Sequence, residues 1–221
     1  IDYGIQNTAG NYTVVATNPA TTCTNNMSGV ATVAINMLPT VYVVSGGGSY
    51  CSGSAGVVVG LSGSQTGVNY RLFNGVTLMT TVAGTGSPLT FGTFTTAGTY
   101  TVVAVNATTS CTINMSGSTT ITINPLPTLF TMTGGGSYCS GGAGVTVGLN
   151  GSQTGITYQL SNGFGLVGTP VAGTGAAISF GLQTVASTYT VIATNTVTGC
   201  SATMAGSAVV SINALPTAFN V

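Results

Sequence analysis

Apolar and polar residues alternate with a period of two along much of this chain. In Val57-Val58-Val59-Gly60-Leu61 the first, third and fifth residues share a face. The related stretch Val145-Thr146-Val147-Gly148-Leu149 turns only an outward position polar. Val68, Tyr70 and Leu72 likewise point one way and Asn69 and Arg71 the other, a pattern kept in Ile156-Thr157-Tyr158-Gln159-Leu160. Such alternation predicts half-buried β-strands. Further strands are expected at Leu89–Phe91 and Ile178–Phe180. Others are expected at Tyr12–Ala16, Tyr100–Ala104 and Tyr189–Ala193, and at Val33–Ile35, Ile121–Ile123 and Val210–Ile212. One near Val41–Val44 and one near Leu78–Val82 complete the set. Gly, Ser, Asn and Pro punctuate them, and helix signals are nearly absent. About seven short strands spaced in this way predict a two-sheet antiparallel sandwich.

The related stretches belong to an internal repeat. Tyr50-Cys51-Ser52-Gly53 returns at Tyr138, and Gly63-Ser64-Gln65-Thr66-Gly67 at Gly151, each 88 residues on. Tyr12-Thr13-Val14 returns at Tyr100 and Tyr189, and Leu38-Pro39-Thr40 at Leu126 and Leu215, in steps of 88 and then 89. A fixed long period means an array of equal modules. The expected organisation is two complete modules, 40–127 and 128–216. Residues 1–39 match the second half of a module and 217–221 open another. A start at Ile1, in mid-module, reads as a window of a longer protein. The one insertion between copies falls between Gly163 and Gly173, against Gly75 and Gly84, and marks an edge strand or its loop.

At the joints, the last strand runs into Ile123-Asn124-Pro125-Leu126-Pro127 with hardly any linker. Pro39, Pro127 and Pro216 fix φ there. Leu38, Leu126 and Leu215 are apolar at every joint and are expected to pack between neighbouring modules, giving a stiff rod.

Charge changes the picture most. Asp2 and Arg71 are the only ionised side chains, His is absent and the net charge is zero. A serine nucleophile has no base beside it. A two-carboxylate mechanism has no second carboxylate, and calcium lacks its usual acidic ligands. No enzyme, cofactor or metal site is therefore expected. Zero charge removes steering toward nucleic acid or anionic lipid, and it favours association of copies. No apolar run approaches the roughly 18 residues of a membrane helix.

Other candidates have bland explanations. Gly46–Gly48 and Gly134–Gly136 lack the following helix and Lys of a phosphate loop, so a flexible bend between first-strand segments is expected. Tyr12, Tyr100 and Tyr189 are expected to pack inward as tyrosine corners rather than to stack a ligand. Arg71, aligned with Gln159, points outward. Asn-x-Ser/Thr triplets occur at Asn11, Asn26, Asn106, Asn114 and Asn150, about as many as such a composition gives by chance. The strip Val76–Thr81 and Phe164–Thr169, where the copies differ most, is the candidate contact surface for a glycan or another surface.

The cysteines follow the period. Cys23, Cys111 and Cys200 occupy one equivalent site, Cys51 and Cys139 the other. Paired cysteines in small β modules point to disulfides and an extracellular setting, and without His or Cys-x-x-Cys they do not read as a metal site. Spacing alone leaves three pairings open. Within modules the pairs are Cys51–Cys111 and Cys139–Cys200. Across a joint they are Cys23–Cys51 and Cys111–Cys139. The third option joins neighbouring chains or non-adjacent poles.

Taken together, Tyr-Cys-Ser-Gly, the Val-x-Val strand, the third-strand Tyr, Ala97-Gly98-Thr99-Tyr100-Thr101-Val102, the late cysteine and Thr120-Ile121-Thr122-Ile123 resemble a known pattern. It is that of the PKD-like and immunoglobulin-like repeats of very large bacterial cell-surface proteins, including gliding adhesins exported by the type IX pathway. The resemblance implies tandem immunoglobulin-like β-sandwich modules, secretion to the cell surface and an adhesive or fibre-forming role, with no catalytic residues. It favours the within-module disulfides Cys51–Cys111 and Cys139–Cys200, leaving Cys23 to a residue upstream. The expected function is a structural component of an extracellular rod or filament whose partners are copies of itself or neighbouring modules. Alternatives are a glycan- or surface-binding adhesin and an inert spacer for another domain.

Overall fold

The computed structural model describes residues 1–219, which form strands and no helix. Of the expected module start at 217–221, residues 220 and 221 lie outside the described residues, and 217–219 carry no regular element. The first strands are β1 (Gly10–Tyr12), β2 (Val15–Thr17), β3 (Thr24–Asn26) and β4 (Ala31–Val33). The first long repeat follows with β5 (Val44–Gly46), β6 (Gly48–Cys51), β7 (Val57–Leu61), β8 (Val68–Asn74), β9 (Thr77–Ala83), β10 (Leu89–Phe94), β11 (Gly98–Asn106), β12 (Thr112–Asn114) and β13 (Thr119–Asn124). The second repeats that series as β14 (Met132–Gly134), β15 (Gly136–Cys139), β16 (Val145–Leu149), β17 (Ile156–Ser161), β18 (Leu166–Ala172), β19 (Ile178–Gln183), β20 (Ser187–Asn195), β21 (Ser201–Thr203) and β22 (Ala208–Asn213).

In the second repeat, one sheet runs β14-β16-β19 and the other β15-β22-β20-β17-β18, with β21 paired to β20. The pairs are antiparallel except β15–β22, which is parallel. Three strands face six, and the first strand is divided between the two sheets, which is the immunoglobulin-type sandwich. The three-stranded sheet supplies Met132, Val147, Leu149 and Ile178 to the core. Ile156, Tyr158, Leu160, Tyr189, Val191, Ala193 and Val210 come from the six-stranded sheet. These are the inward positions of the alternating pattern, and each large one stabilises the fold by about 1.5–3 kcal/mol through removal from water. The insertion identified in the sequence falls at β18, an edge strand.

Each repeat has nine strands where about seven were expected. The first strand is split, because Gly46, Gly47 and Gly48 all take positive φ (84°, 72° and 120°) and carry the chain from one sheet to the other. β5 pairs antiparallel with β7, then β6 pairs parallel with β13. A Cβ on Gly47 would strike Thr119 Oγ1, so this is a fixed crossing rather than a flexible bend. The other addition is β12, and likewise β21. It follows a tight turn in which Asn106 Oδ1 accepts hydrogen bonds from the Thr108 and Thr109 amides at 2.9 and 3.0 Å.

The chain divides into two compact units. One holds residues 1–47, 58–93 and 98–120; the other holds 48–57, 94–97 and everything from 121. The second unit thus takes in three short pieces of the first repeat, 48–57, 94–97 and 121–127. Within the first unit, β10-β7-β5 form a sheet, and β11 pairs with both β8 and β12. Residues 10–33 fold as β1–β4 and β2–β3 pairs.

Candidate functional site

Arg71 is exposed, and Asp2 Oδ1 accepts a hydrogen bond from the Gly4 amide at 2.8 Å. Among the described residues no three Cys, Asp or Glu side chains gather as metal ligands, and no helix is long and apolar enough to cross a membrane.

What the structure builds with care is the pair of cysteine poles. In the second repeat, Ser187 at the start of β20 lies opposite Val210, and Cys139 lies opposite Asn213, beyond it on the same side. Cys200 sits at the far end of β20, where its carbonyl accepts the Asn195 amide at 2.8 Å. Ser187 to Asn195 is eight strand steps, about 26 Å at roughly 3.3 Å each. A disulfide needs its Cα atoms within about 7 Å. The two cysteines of one module therefore occupy opposite ends of it.

The within-module bonds Cys51–Cys111 and Cys139–Cys200 favoured by the family resemblance are accordingly not formed. The bond that forms joins Cys51 to Cys200, with Cα atoms 5.5 Å apart and 149 residues between them in sequence. Neither the within-module nor the cross-joint spacing offered this pair. It links the Asn124 end of the first repeat, where Cys51 lies beside β13, to the β20–β21 turn of the second. Both residues belong to the same compact unit. Cys23, Cys111 and Cys139 remain free thiols.

The joints also differ from expectation. Leu38, Leu126 and Leu215 are exposed, whereas Pro39 and Pro127 are buried; Pro216 is exposed. At the first two joints it is thus the proline, not the leucine, that is buried. A second contact, inside each complete module just past the joint proline, went unread in the sequence. The Thr40 amide donates to Gln65 Oε1 at 2.6 Å, and Thr128 to Gln153 Oε1 at 3.2 Å.

Those glutamines sit in the repeated Gly-Ser-Gln-Thr-Gly loops, which are tied inward. The amides of Gln65 and Gln153 donate to the buried Tyr70 and Tyr158 hydroxyls at 2.9 and 2.8 Å. Buried Ser64 and Ser152 donate to the Ser87 and Ala176 carbonyls, each at 2.6 Å, and accept from the Thr85 and Thr174 amides. The signal for this was five identical residues in a loop, where sequence ordinarily drifts.

The tyrosine corner forms in full at Tyr189, whereas Tyr12 makes the backbone bond without being buried. Tyr189 donates its hydroxyl to the Val185 carbonyl at 2.9 Å and Tyr12 to that of Thr8 at 2.8 Å, while Tyr100 is buried. On the variable strip, Val76 and Phe164 project from the hairpin tips with nearly their whole side chains in solvent.

No family model matches the chain, and no curated protein matches it. Among solved structures it is similar to the human OSCAR ligand-binding domain, at 10% identity and TM-score 0.33, over 79% of this chain and 100% of that one. It is also similar to fibronectin(III)-like modules of Clostridium thermocellum CbhA, at 14% identity and TM-score 0.37, over 77% and 95%. The sandwich assignment rests on this chain's own strand order and register.

Burial pushes the phenols of Tyr70 and Tyr189 above their ordinary value. A tyrosine whose folded pKa is raised leaves stability whole below the unfolded value near 10. Stability is then lost as pH climbs past it, because only the unfolded chain ionises readily. With Asp2 the sole carboxylic side chain, the expected profile is a flat melting midpoint from about pH 3 to pH 9 and a fall above about pH 10. Thermal melts across that range check it; a steep acid loss would contradict it.

Proposed function

We propose that this chain is a structural part of an extracellular rod or filament built from tandem immunoglobulin-like modules, with no catalytic role. In this reading modules occupy 40–127 and 128–216, residues 1–39 are the second half of another, and 217–221 open the next. The observation that carries it is the Cys51–Cys200 bond, which joins one repeat to the following one rather than closing a single module. A cross-link of that kind adds nothing to the chemistry of a site and resists pulling along the chain. The near-absence of charge, which removes repulsion between copies, supports the same reading. The partners are then neighbouring modules and other copies, and a persistent disulfide fits secretion to a cell surface. Export by the type IX route and a PKD-like lineage accord with the resemblance of the repeats.

Electron microscopy of the protein tests this. An axial repeat of about 30–40 Å per module is expected from strands of up to nine residues rising roughly 3.3 Å each plus their turns. A compact particle without such a repeat would overturn it.

The exposed Phe164 and Val76 favour a second reading, adhesion through the hairpin tips. A glycan array probed with the full chain and with Phe164→Ser separates the two. Binding lost in the variant favours adhesion.

A further inference from the structure

The chain carries three Asn-Gly pairs, Asn74-Gly75, Asn150-Gly151 and Asn162-Gly163. In such a pair the backbone nitrogen after the asparagine can reach the asparagine's own side-chain carbonyl carbon, because glycine places no side chain over that nitrogen. The fold treats the three differently. The Gly75 amide donates to the Thr99 carbonyl at 3.1 Å, so its nitrogen is engaged. Gly151 is buried, and a Cβ on it would strike the Phe130 ring at 2.6 Å, which leaves little room for a new ring. Gly163 is exposed at the tip between β17 and β18, where a Cβ meets nothing within 4 Å. Its amide has the Ser161 hydroxyl beside it at 3.4 Å, too long a contact to hold the nitrogen.

The Asn162 side chain is also cradled. Its Oδ1 accepts hydrogen bonds from the Phe164 and Gly165 amides, each at 3.1 Å. Two amides on one carbonyl oxygen draw electrons from Cγ and stand where an oxyanion would form, the arrangement that stabilises tetrahedral intermediates in acyl transfer. The same cradle recurs at Asn18, Asn106 and Asn195. Each of those lacks a free nucleophile. Asn18 precedes Pro19, which has no N–H. The Ala107 and Thr196 amides donate to the Gly67 and Gly155 carbonyls at 2.9 and 3.2 Å. Among the described residues, Asn162 is the one cradled asparagine followed by a glycine whose nitrogen no carbonyl holds.

We propose that Asn162 modifies itself through Gly163. The Gly163 amide proton passes to hydroxide in the solvent, and the nitrogen attacks Asn162 Cγ. The N–Cγ bond forms and Oδ1 takes the negative charge within its cradle. The Cγ–Nδ2 bond then breaks, and the departing nitrogen takes a proton from water and leaves as ammonia. Water adds to either carbonyl carbon of the resulting cyclic imide. Opening at one gives aspartate; opening at the other gives isoaspartate, in which the main chain runs through the former side chain. Either product sets a carboxylate on the hairpin tip that carries the exposed Phe164, in a chain whose one acidic side chain is Asp2. The proposal does not rest on the rod or on the tandem-module reading.

The test ages the full chain in neutral and in mildly alkaline buffer made with heavy-oxygen water, and maps its peptides by mass spectrometry. Asn162 is expected to take up heavy oxygen roughly tenfold or more faster than Asn74 and Asn150, since oxyanion donors are worth at least that in a fixed site. It should also outpace the same residue in an unfolded synthetic peptide, 156–168, which keeps the Asn-Gly pair and has no fixed cradle. The rate should rise with pH, and isoaspartate should appear among the products. Gly163→Ala should slow the reaction by a similar factor, because its methyl group shields the nitrogen. Equal rates at the three Asn-Gly pairs would overturn the proposal. So would a slower reaction at Asn162 in the folded chain than in the peptide.

Discussion

Peptide mapping of the unreduced protein is expected to yield Cys51 linked to Cys200, and no peptide linking Cys139 to Cys200. The energetic consequence is large because the bond closes a loop 149 residues long. In the chain-entropy model such a loop removes about 5 kcal/mol of unfolded-state freedom, an upper value since native strain and residual structure reduce it. Cys51→Ala and Cys200→Ala should each lower the denaturant midpoint. The double variant should be no worse than the poorer single one, because either change deletes the same bond. Cys139→Ala and Cys111→Ala should leave the midpoint within about 0.5 kcal/mol, as expected of changes that remove no special feature. Additive losses at Cys51 and Cys200 would show that the two side chains act separately, and the cross-repeat staple would then be wrong.

The second large effect is expected at Gly173. A methyl group there points at the Gln153 carbonyl oxygen and at the Tyr158 ring, with Cε2 at 3.0 Å. The obstacle is backbone, already fixed by the Gln153 amide bonded to the Tyr158 hydroxyl and by Gln153 Oε1 on the Thr128 amide. Neither side can retreat without breaking one of these. Gly173→Ala should therefore cost about 3 kcal/mol, the upper range for overpacking. Gly163→Ala is the control. Its φ is +81° but a Cβ meets nothing within 4 Å, so only the left-handed backbone penalty of about 1 kcal/mol applies. Tyr158→Phe removes the acceptor of the Gln153 amide and should cost about 1–3 kcal/mol. Combined with Gly173→Ala it should cost less than the sum, since both changes loosen the same loop. Equilibrium unfolding of the four variants decides this. A Gly173→Ala protein as stable as the Gly163→Ala one would mean the loop is not held as described.

Much of the architecture was legible in the sequence because its signals are local. Period-two alternation placed Val57–Leu61 and Val68–Leu72 and named their inward residues. The repeated Gly-Ser-Gln-Thr-Gly and Tyr-Cys-Ser-Gly motifs fixed a spacing of 88 residues, and the single insertion found the edge strand β18. The hydroxyl of Tyr189 met the backbone as its position implied.

What the sequence by itself determined is therefore a repeated β-sandwich with its inward faces assigned, since hydrophobic alternation and strand chemistry act over a few residues. The tertiary structure alone decided which cysteines meet. Every pairing respects the period, and only strand direction reveals that Cys139 and Cys200 stand at opposite ends of β20 while Cys51 reaches the turn that holds Cys200. It decided the joints as well. Leu126 and Pro127 are both apolar, yet the proline is buried and the leucine exposed. It also showed that Gln153 binds Thr128. Each of these depends on groups far apart in the chain being brought together by the whole fold, and neither composition nor periodicity carries that information.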